Sequence, residues 1–597
     1  MLNGRLYRVA FVPFALALAV AAFSLGGRPT SLSSTLAPDA FEGARAFSEL
    51  HSLAAHYPSR RPGGAGDDAL GAYVARTLEG LGASADGGFS VRTDSFEAQT
   101  IDGERTLHDV IAERPGSTSE APILIVAHRD SAAAGSVAEL SGTATLLELA
   151  RVLAARATKR TIVIASTSGG SGGDAGAAQL AGSLNGPFDA ALVLGDVAGV
   201  RGRRPSVVPY SDGYGSAPLQ LQRTVDAALG NQASYQPGAP SLFGQLAHLA
   251  FPLAVGEQGV LDREGIPAVL VQVSGERGPA PGEPVSAERL EGVGRATLSA
   301  IDALDSEPDV SDEMQRGLLL QLKTIPAWAL RLLVATLLLP VLVALVDGVA
   351  RARRRRLDVR RWTLWTLTCA LPFLTCALFA HLLGWLGILA ATPAMPVLTS
   401  ALPFQGGAVT AVVAVALTFV LAWLLWAVLV RRIGWGSRPD PEVAGLAMLL
   451  IALAIAVLVW FVDPYTALLA LPALHLWLLL AAPELRPRRP LGLVLVVLGL
   501  LPLVALVVFY AHQLALGAGG TAWMALLLVA GGHVRLLGVL LWSVAFGCTA
   551  AAALLAGRSL QPEPGVPVPG GREVTIRGPL SYAGPGSLGG TRSALRR

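Results

Sequence analysis

Residues 123–153 read ILIVAHRDSAAAGSVAELSGTATLLELARVL. Five apolar residues, Ile123 to Ala127, run unbroken into the polar triplet His128, Arg129 and Asp130. A run this short and this apolar predicts a buried strand over 122–128, with its polar end at a sheet edge. A helix is predicted over 141–157, where apolar residues recur at helical spacing. The same alternation extends outward. Amphipathic helices are predicted at 38–56 and 66–83 and strands at 87–96 and 107–114. Beyond the quoted stretch come a strand at 160–167, a helix at 174–184 and a strand at 190–196. Buried strands alternating with helices predict an α/β fold with a mostly parallel central sheet and flanking helices. The loops after the strand C-termini are then the edge that carries a site.

The rest of the 597 residues is of another kind. The chain is 52% hydrophobic and 15% charged, where a soluble protein carries about 25% charged residues. Residues 27–324 hold 35 Asp and Glu against 23 Lys and Arg, whereas the remainder holds 8 against 23. The net charge of +3 is the sum of these unlike parts and gives no reason to expect nucleic-acid binding. The three cysteines, Cys369, Cys376 and Cys548, all lie in hydrophobic segments, so residues 27–324 can form no disulfide and no Cys-based metal site.

Residues 9–25 are apolar and follow Arg5 and Arg8, the pattern of a retained N-terminal signal anchor within residues 1–26. Further spans are expected at 325–348, 362–388, 406–430, 443–462, 465–482, 491–511 and 530–556, each near the ~20 residues needed to cross a bilayer. Arginine clusters follow alternate spans: Arg351 to Arg361, then Arg431, Arg432 and Arg438, then Arg486, Arg488 and Arg489, then six arginines after residue 557. The loops between carry no Lys or Arg. Eight spans with both termini in the cytoplasm put every basic cluster on the cytoplasmic side and residues 27–324 outside the cell membrane. The expected organisation is an anchor (1–26), an extracytoplasmic α/β domain (27–324), an all-α seven-span membrane domain (325–557) and a Pro-, Gly- and Ser-rich disordered tail (558–597). The lipid bilayer is the one partner this pattern requires.

The quoted stretch, together with Thr161–Ala177 (TIVIASTSGGSGGDAGA), LGDVAGV around Asp196 and Gly265-Ile-Pro-Ala-Val269, resembles the co-catalytic zinc peptidases. That family includes bacterial leucyl aminopeptidases, glutamate carboxypeptidase and the vacuolar and endoplasmic-reticulum membrane metallopeptidases. The resemblance covers residues 40 to 305, and the trailing multi-span region is shared with the membrane-tethered members. It implies a zinc-peptidase-like α/β domain with two zinc ions held by His, a bridging Asp, Glu, Asp and His, and a glutamate as general base.

Carried over residue by residue, the resemblance makes His128 and Asp196 remnant metal ligands and gives Asp130 the part of orienting His128. The bridging Asp position is Ala138, with Glu139 beside it. The Glu-Glu pair falls on Gly170 and Ser171, so the base and one further ligand are missing, and residues 274–284 contain no histidine. No residue stands as a catalytic candidate in this mapping. The leading expectation is a pseudoenzyme: an inactive peptidase-like domain without a cofactor, binding an extracytoplasmic peptide or protein. A working metallopeptidase with rearranged ligands is the alternative, with a single zinc on His128, Asp196 and either Asp174 or Glu139. A serine hydrolase is the third reading, because Gly169–Gly173 fits G-x-S-x-G around Ser171, with Asp196 and His248 following in order.

Overall fold

Seven strands form one sheet in the computed structural model, which describes residues 4–557 apart from 83–87, 185, 205, 234–240, 307–313, 390–394, 434–440 and 482–488. The tail 558–597, Arg438, Arg486 and Arg488 lie outside the described residues. The strands are β1 (Ser90–Thr100), β2 (Gly103–Arg114), β3 (Ile123–His128), β4 (Ile162–Thr167), β5 (Ala190–Leu194), β6 (Val207–Val208) and β7 (Ala268–Val271), in the order β1-β2-β4-β3-β5-β7-β6. The central four, β4, β3, β5 and β7, run parallel. The β1–β2 hairpin adds antiparallel to β4, and β6 closes the far edge antiparallel to β7. Only the two-residue β6 carried no signal of its own in the sequence.

Alternate residues of the central strands feed two cores, as the period of two requires. Ile123, Ile125 and Ala127 face one cluster with Leu50, Leu70, Leu149 and Leu298. Leu124 and Val126 face the other, with Leu180 and Leu261. The first cluster is covered by α1 (Gly43–His56), α2 (Ala65–Gly82), α3 (Leu140–Ala154), α5 (Leu219–Gln232) and α8 (Ala287–Ser306). The second is covered by α4 (Ala175–Ser183) and α7 (Glu257–Arg263). A short helix, α6 (Leu242–Ala250), turns away from the sheet and packs on the apolar helices that follow.

Among the described residues, seven helices are long and apolar enough to cross a membrane: Gly4–Phe23, Ala327–Arg354, Val359–Trp385, Gly407–Arg432, Glu442–Val462, Arg489–Gln513 and Leu536–Ala556. The sequence reading expected eight spans. The segment placed at 465–482 is a 17-residue helix, Pro464–Leu480, and a further short apolar helix occupies Ala518–Ala530. Asp463 fixes the start of the former, its carboxylate accepting from the Tyr465 and Thr466 amides at 2.9 Å each. The span expected at 362–388 is divided into helices Val359–Thr368 and Leu371–Trp385. The second of these has Pro372 in its first turn, where a missing N–H costs nothing.

Two ionisable residues of the apolar region have local structural employment. The Arg331 guanidinium donates to the carbonyls of Phe461 and Val462, which end a neighbouring helix. His475 lies 2.7 Å from the Tyr7 hydroxyl through Nδ1 and 3.1 Å from the Leu337 carbonyl through Nε2, tying the first helix to two others. A small antiparallel sheet of Gly26–Gly27, Lys323–Ile325 and Leu318–Leu319 joins the two chain passages between the α/β domain and the apolar helices.

Candidate functional site

The carboxyl ends of the parallel strands converge, as open α/β sheets arrange them. His128 ends β3, the Ser168–Asp174 turn follows β4, Asp196 follows β5 and Gln272 follows β7. These residues line one cavity, together with Glu139, Gly170, Ser171, Glu257 and Glu276. Its opposite wall is Pro396, Val397, Leu398, Ser400 and Ala401, from the loop between two membrane-type helices. Val397 and Ala401 are buried against Ile101 and Ala132. Glu276 is held from the same side: its carboxylate lies 3.1 Å from His248 and accepts from the Gln513 amide at 3.1 Å. The site is therefore built jointly by the α/β domain and the apolar helices.

The backbone around it is pinned by two buried arginines. Arg60, in the turn between α1 and α2, donates to the carbonyls of Tyr57, Arg129 and Ser136. Arg129 points away from the cavity and pairs with Asp67 at 2.9 Å.

Asp130 was expected to orient His128. Instead its carboxylate accepts from the amides of Gly170 and Ser171, at 2.9 and 3.0 Å, and from the Ser171 hydroxyl. It shapes the turn that replaces the glutamate pair. The ion-pair partner of His128 is Glu257, with Nδ1 to Oε2 at 3.8 Å; the other Glu257 oxygen accepts from Thr167. Sequence reasoning missed Glu257. Its only signal was a carboxylate between two glycines, Gly256 and Gly259, since the residue it meets is 129 positions away.

The bare face of Gly170 lies against the His128 ring, so that a Cβ there would sit 2.4 Å from the His128 Cβ and 2.6 Å from its Cγ. Ala138, in place of the bridging carboxylate, is buried. Asp196 turns one oxygen to the amides of Ala198 and Gly199, at 3.1 and 2.7 Å. Asp174 sits in left-handed backbone (φ 52°) with both carboxylate oxygens buried and without a hydrogen-bond partner. One oxygen each of Glu139, Asp196 and Glu257 is also buried without a hydrogen bond.

These carboxyls are hard to ionise. Burial pushes Asp196 up to about 6, and it pushes Glu139 up as well and Asp174 well up, in the last case helped by the charge of Glu257. For His128, burial alone would lower the pKa, but Glu257, Asp130 and Glu139 outweigh it and hold the imidazole up at about 9. The protonated ring that this favours has no free lone pair, so a metal would have to displace its proton. Among the described residues no three of His, Cys, Asp or Glu are grouped to hold a metal ion. The donor set does not fit a co-catalytic zinc pair.

The serine-hydrolase set is not brought together. Ser171 donates to Asp130, and Asp196 is bonded to backbone amides. His248 stacks on Tyr210 at 3.5 Å and lies 3.2 Å from the Tyr510 hydroxyl.

A pH dependence follows from these shifts. Asp196 and His128 both have folded pKa values above their unfolded values of about 3.9 and 6.5. A raised pKa contributes stability at low pH that is lost as pH rises through the folded value. The melting temperature of the solubilised chain is expected to fall from about pH 4 to 6 and again from about pH 6.5 to 9. The second step is worth up to about 3 kcal/mol, and His128→Gln should remove it alone. A melting temperature constant between pH 7 and 9.5 would contradict the His128–Glu257 pairing.

Residues 109–251 match the family model described as Peptidase family M28. A search of curated proteins found no match. Among solved structures, a zinc aminopeptidase from Bacillus subtilis aligns at 11% identity over 44% of this chain and 94% of its own, with a TM-score of 0.36. The aminopeptidase from Aneurinibacillus sp. strain AM-1 aligns at 14% over 46% and 97%, TM-score 0.36. The glutaminyl cyclase of Porphyromonas gingivalis aligns at 18% over 44% and 98%, TM-score 0.31.

Proposed function

We propose, for a chain whose residues 109–251 form a peptidase family M28 domain, that the cavity at its sheet edge binds an extracytoplasmic peptide or protein segment without hydrolysing it. The observation that carries this reading is Gly170 against His128. A zinc peptidase needs a carboxylate there to take the proton from metal-bound water. Here the His128 ring, already paired with Glu257, lies against that position. Glu139, Asp174 and Asp196 offer unpaired carboxyl oxygens for hydrogen bonds to a bound ligand.

The outward placement of the domain rests on the arginines. Arg351 to Arg361 follow one apolar helix and Arg431 and Arg432 follow another, two helices later, which supports the cytoplasm on that side. A reporter fused after residue 200 is expected outside and one fused after 357 inside.

The decisive measurement is turnover of leucine p-nitroanilide by the purified full-length protein, with and without added zinc. No hydrolysis above background is expected. Zinc-dependent hydrolysis that His128→Ala abolishes would overturn the reading.

A further inference from the structure

A second cavity, which shares no lining residue with the first, lies between helices Pro441–Val462, Pro464–Leu480, Arg489–Gln513 and Leu536–Ala556. Small residues open it, among them Ala470, Ala473, Gly499 and Gly538. The lining runs from Thr466 to Trp477 along one helix, eleven residues or about 16 Å at 1.5 Å per residue. It is an elongated apolar slot between three helices that have the length and composition to cross a bilayer and the shorter apolar helix Pro464–Leu480.

One polar group in the wall is unsatisfied. Trp477 is 3% exposed, and its indole Nε1 has no hydrogen-bond partner. That nitrogen lies beside the bare Cα of Gly499, where a Cβ would come within 2.6 Å of it. A buried indole N–H without an acceptor is uncommon and costs free energy. Three other polar groups in the wall are used: Thr466 donates to the Ala250 carbonyl, Thr549 to Ala545 and the Cys548 thiol to Met448. The missing component is thus a long apolar body with one acceptor oxygen at the Trp477 end.

The solvent around such helices supplies that chemistry. An acyl chain is apolar along its length and carries a carbonyl oxygen at its head. Exposed Leu458, Leu501 and Leu540, on three of the four helices, give an apolar perimeter from which a chain can enter. We propose that this cavity binds one acyl chain of a membrane lipid, with its ester or carboxyl oxygen accepting the Trp477 indole N–H and its methyl end toward Thr466. The site is independent of the M28-domain cavity and of the function proposed for it.

The test uses full-length protein in detergent and a palmitate analogue carrying a diazirine at the methyl end. After irradiation, labelled peptides are mapped by mass spectrometry. Labels are expected near Thr466 and Gly538, and unlabelled palmitate should compete. Ala470→Phe, which fills the slot, should reduce labelling at least tenfold, and Gly538→Leu provides a second obstruction if the first variant does not fold. Trp477→Phe should weaken competition by palmitate about fivefold to tenfold, the worth of one hydrogen bond. Labelling confined to the outer faces and unchanged by either obstruction would overturn the site. Labelling inside the slot that is indifferent to Trp477→Phe would overturn the orientation, and with it the assignment of the acceptor.

Discussion

Gly170→Glu is expected to destabilise the protein by about 2–4 kcal/mol and to restore no hydrolysis. The substitution returns a carboxylate to the position where the peptidase resemblance requires a base. The obstacle begins at the first carbon, since a Cβ would lie 2.4 Å from the His128 Cβ and 2.6 Å from its Cγ. His128 cannot step aside cheaply. It ends a central strand, its carbonyl accepts from Thr143 and its ring is paired with Glu257. A glutamate would also add a further charge beside Asp130, Glu139 and Glu257, none of which has a spare cation. Because the clash is at Cβ, Gly170→Ala should show most of the loss, which separates packing from charge. Denaturant titration of the full-length variants measures both. Unchanged stability in Gly170→Ala would show that the ring and the turn are not locked together.

Arg129→Ala should cost about 3–5 kcal/mol, the larger of the two effects. Arg129 stands between the two residues that the resemblance marks for the metal site, yet its side chain is fully buried on the other side of the strand end. It pairs with Asp67 on α2 at 2.9 Å and donates to the carbonyls of Ser166 and His108, at 3.0 and 2.6 Å. Gly71 allows α2 this close, since a Cβ there would lie 3.0 Å from the guanidinium. Removing the arginine leaves the Asp67 carboxylate uncompensated in the interior and takes a donor from the carbonyls of Asp67, Ser166 and His108. Asp67→Asn in the Arg129→Ala background should recover part of the loss, because the stranded charge is then gone. A loss below 1 kcal/mol in Arg129→Ala, or no recovery in the double variant, would remove the buried pair as the cause.

The sheet was legible because its signal is local. Ile123–Ala127 and Ile162–Ala165 announce buried strands without reference to anything else, and the polar residues that follow mark the edge where a site forms. The substitutions at Ala138, Gly170 and Ser171 could also be read, since they stand at fixed places in a motif. What fills the site in compensation could not. Glu257 comes from α7, and the wall from Val397 to Ala401 comes from a loop that the sequence offered only as an uncharged connection between spans. Asp130 shows the same limit from the other side. Its identity suggested a partner for His128, but once Gly170 and Ser171 presented their amides, the carboxylate had nearer donors. Pairing across the fold depends on which groups compete for a side chain, and a motif names only one of the competitors.

The small sheet beside the apolar helices has a consequence for how the protein is made. Gly26 pairs with Thr324, so the chain must grow by about 300 residues before the first strand has a neighbour. At ~5–20 residues per second that is a delay of roughly 15–60 s. Tyr7 waits longer, because His475 follows it by 468 positions. Throughout that interval the first helix must be held by its own apolarity, its phenol unpartnered. A helix made late in synthesis, Pro464–Leu480, therefore completes the environment of the first.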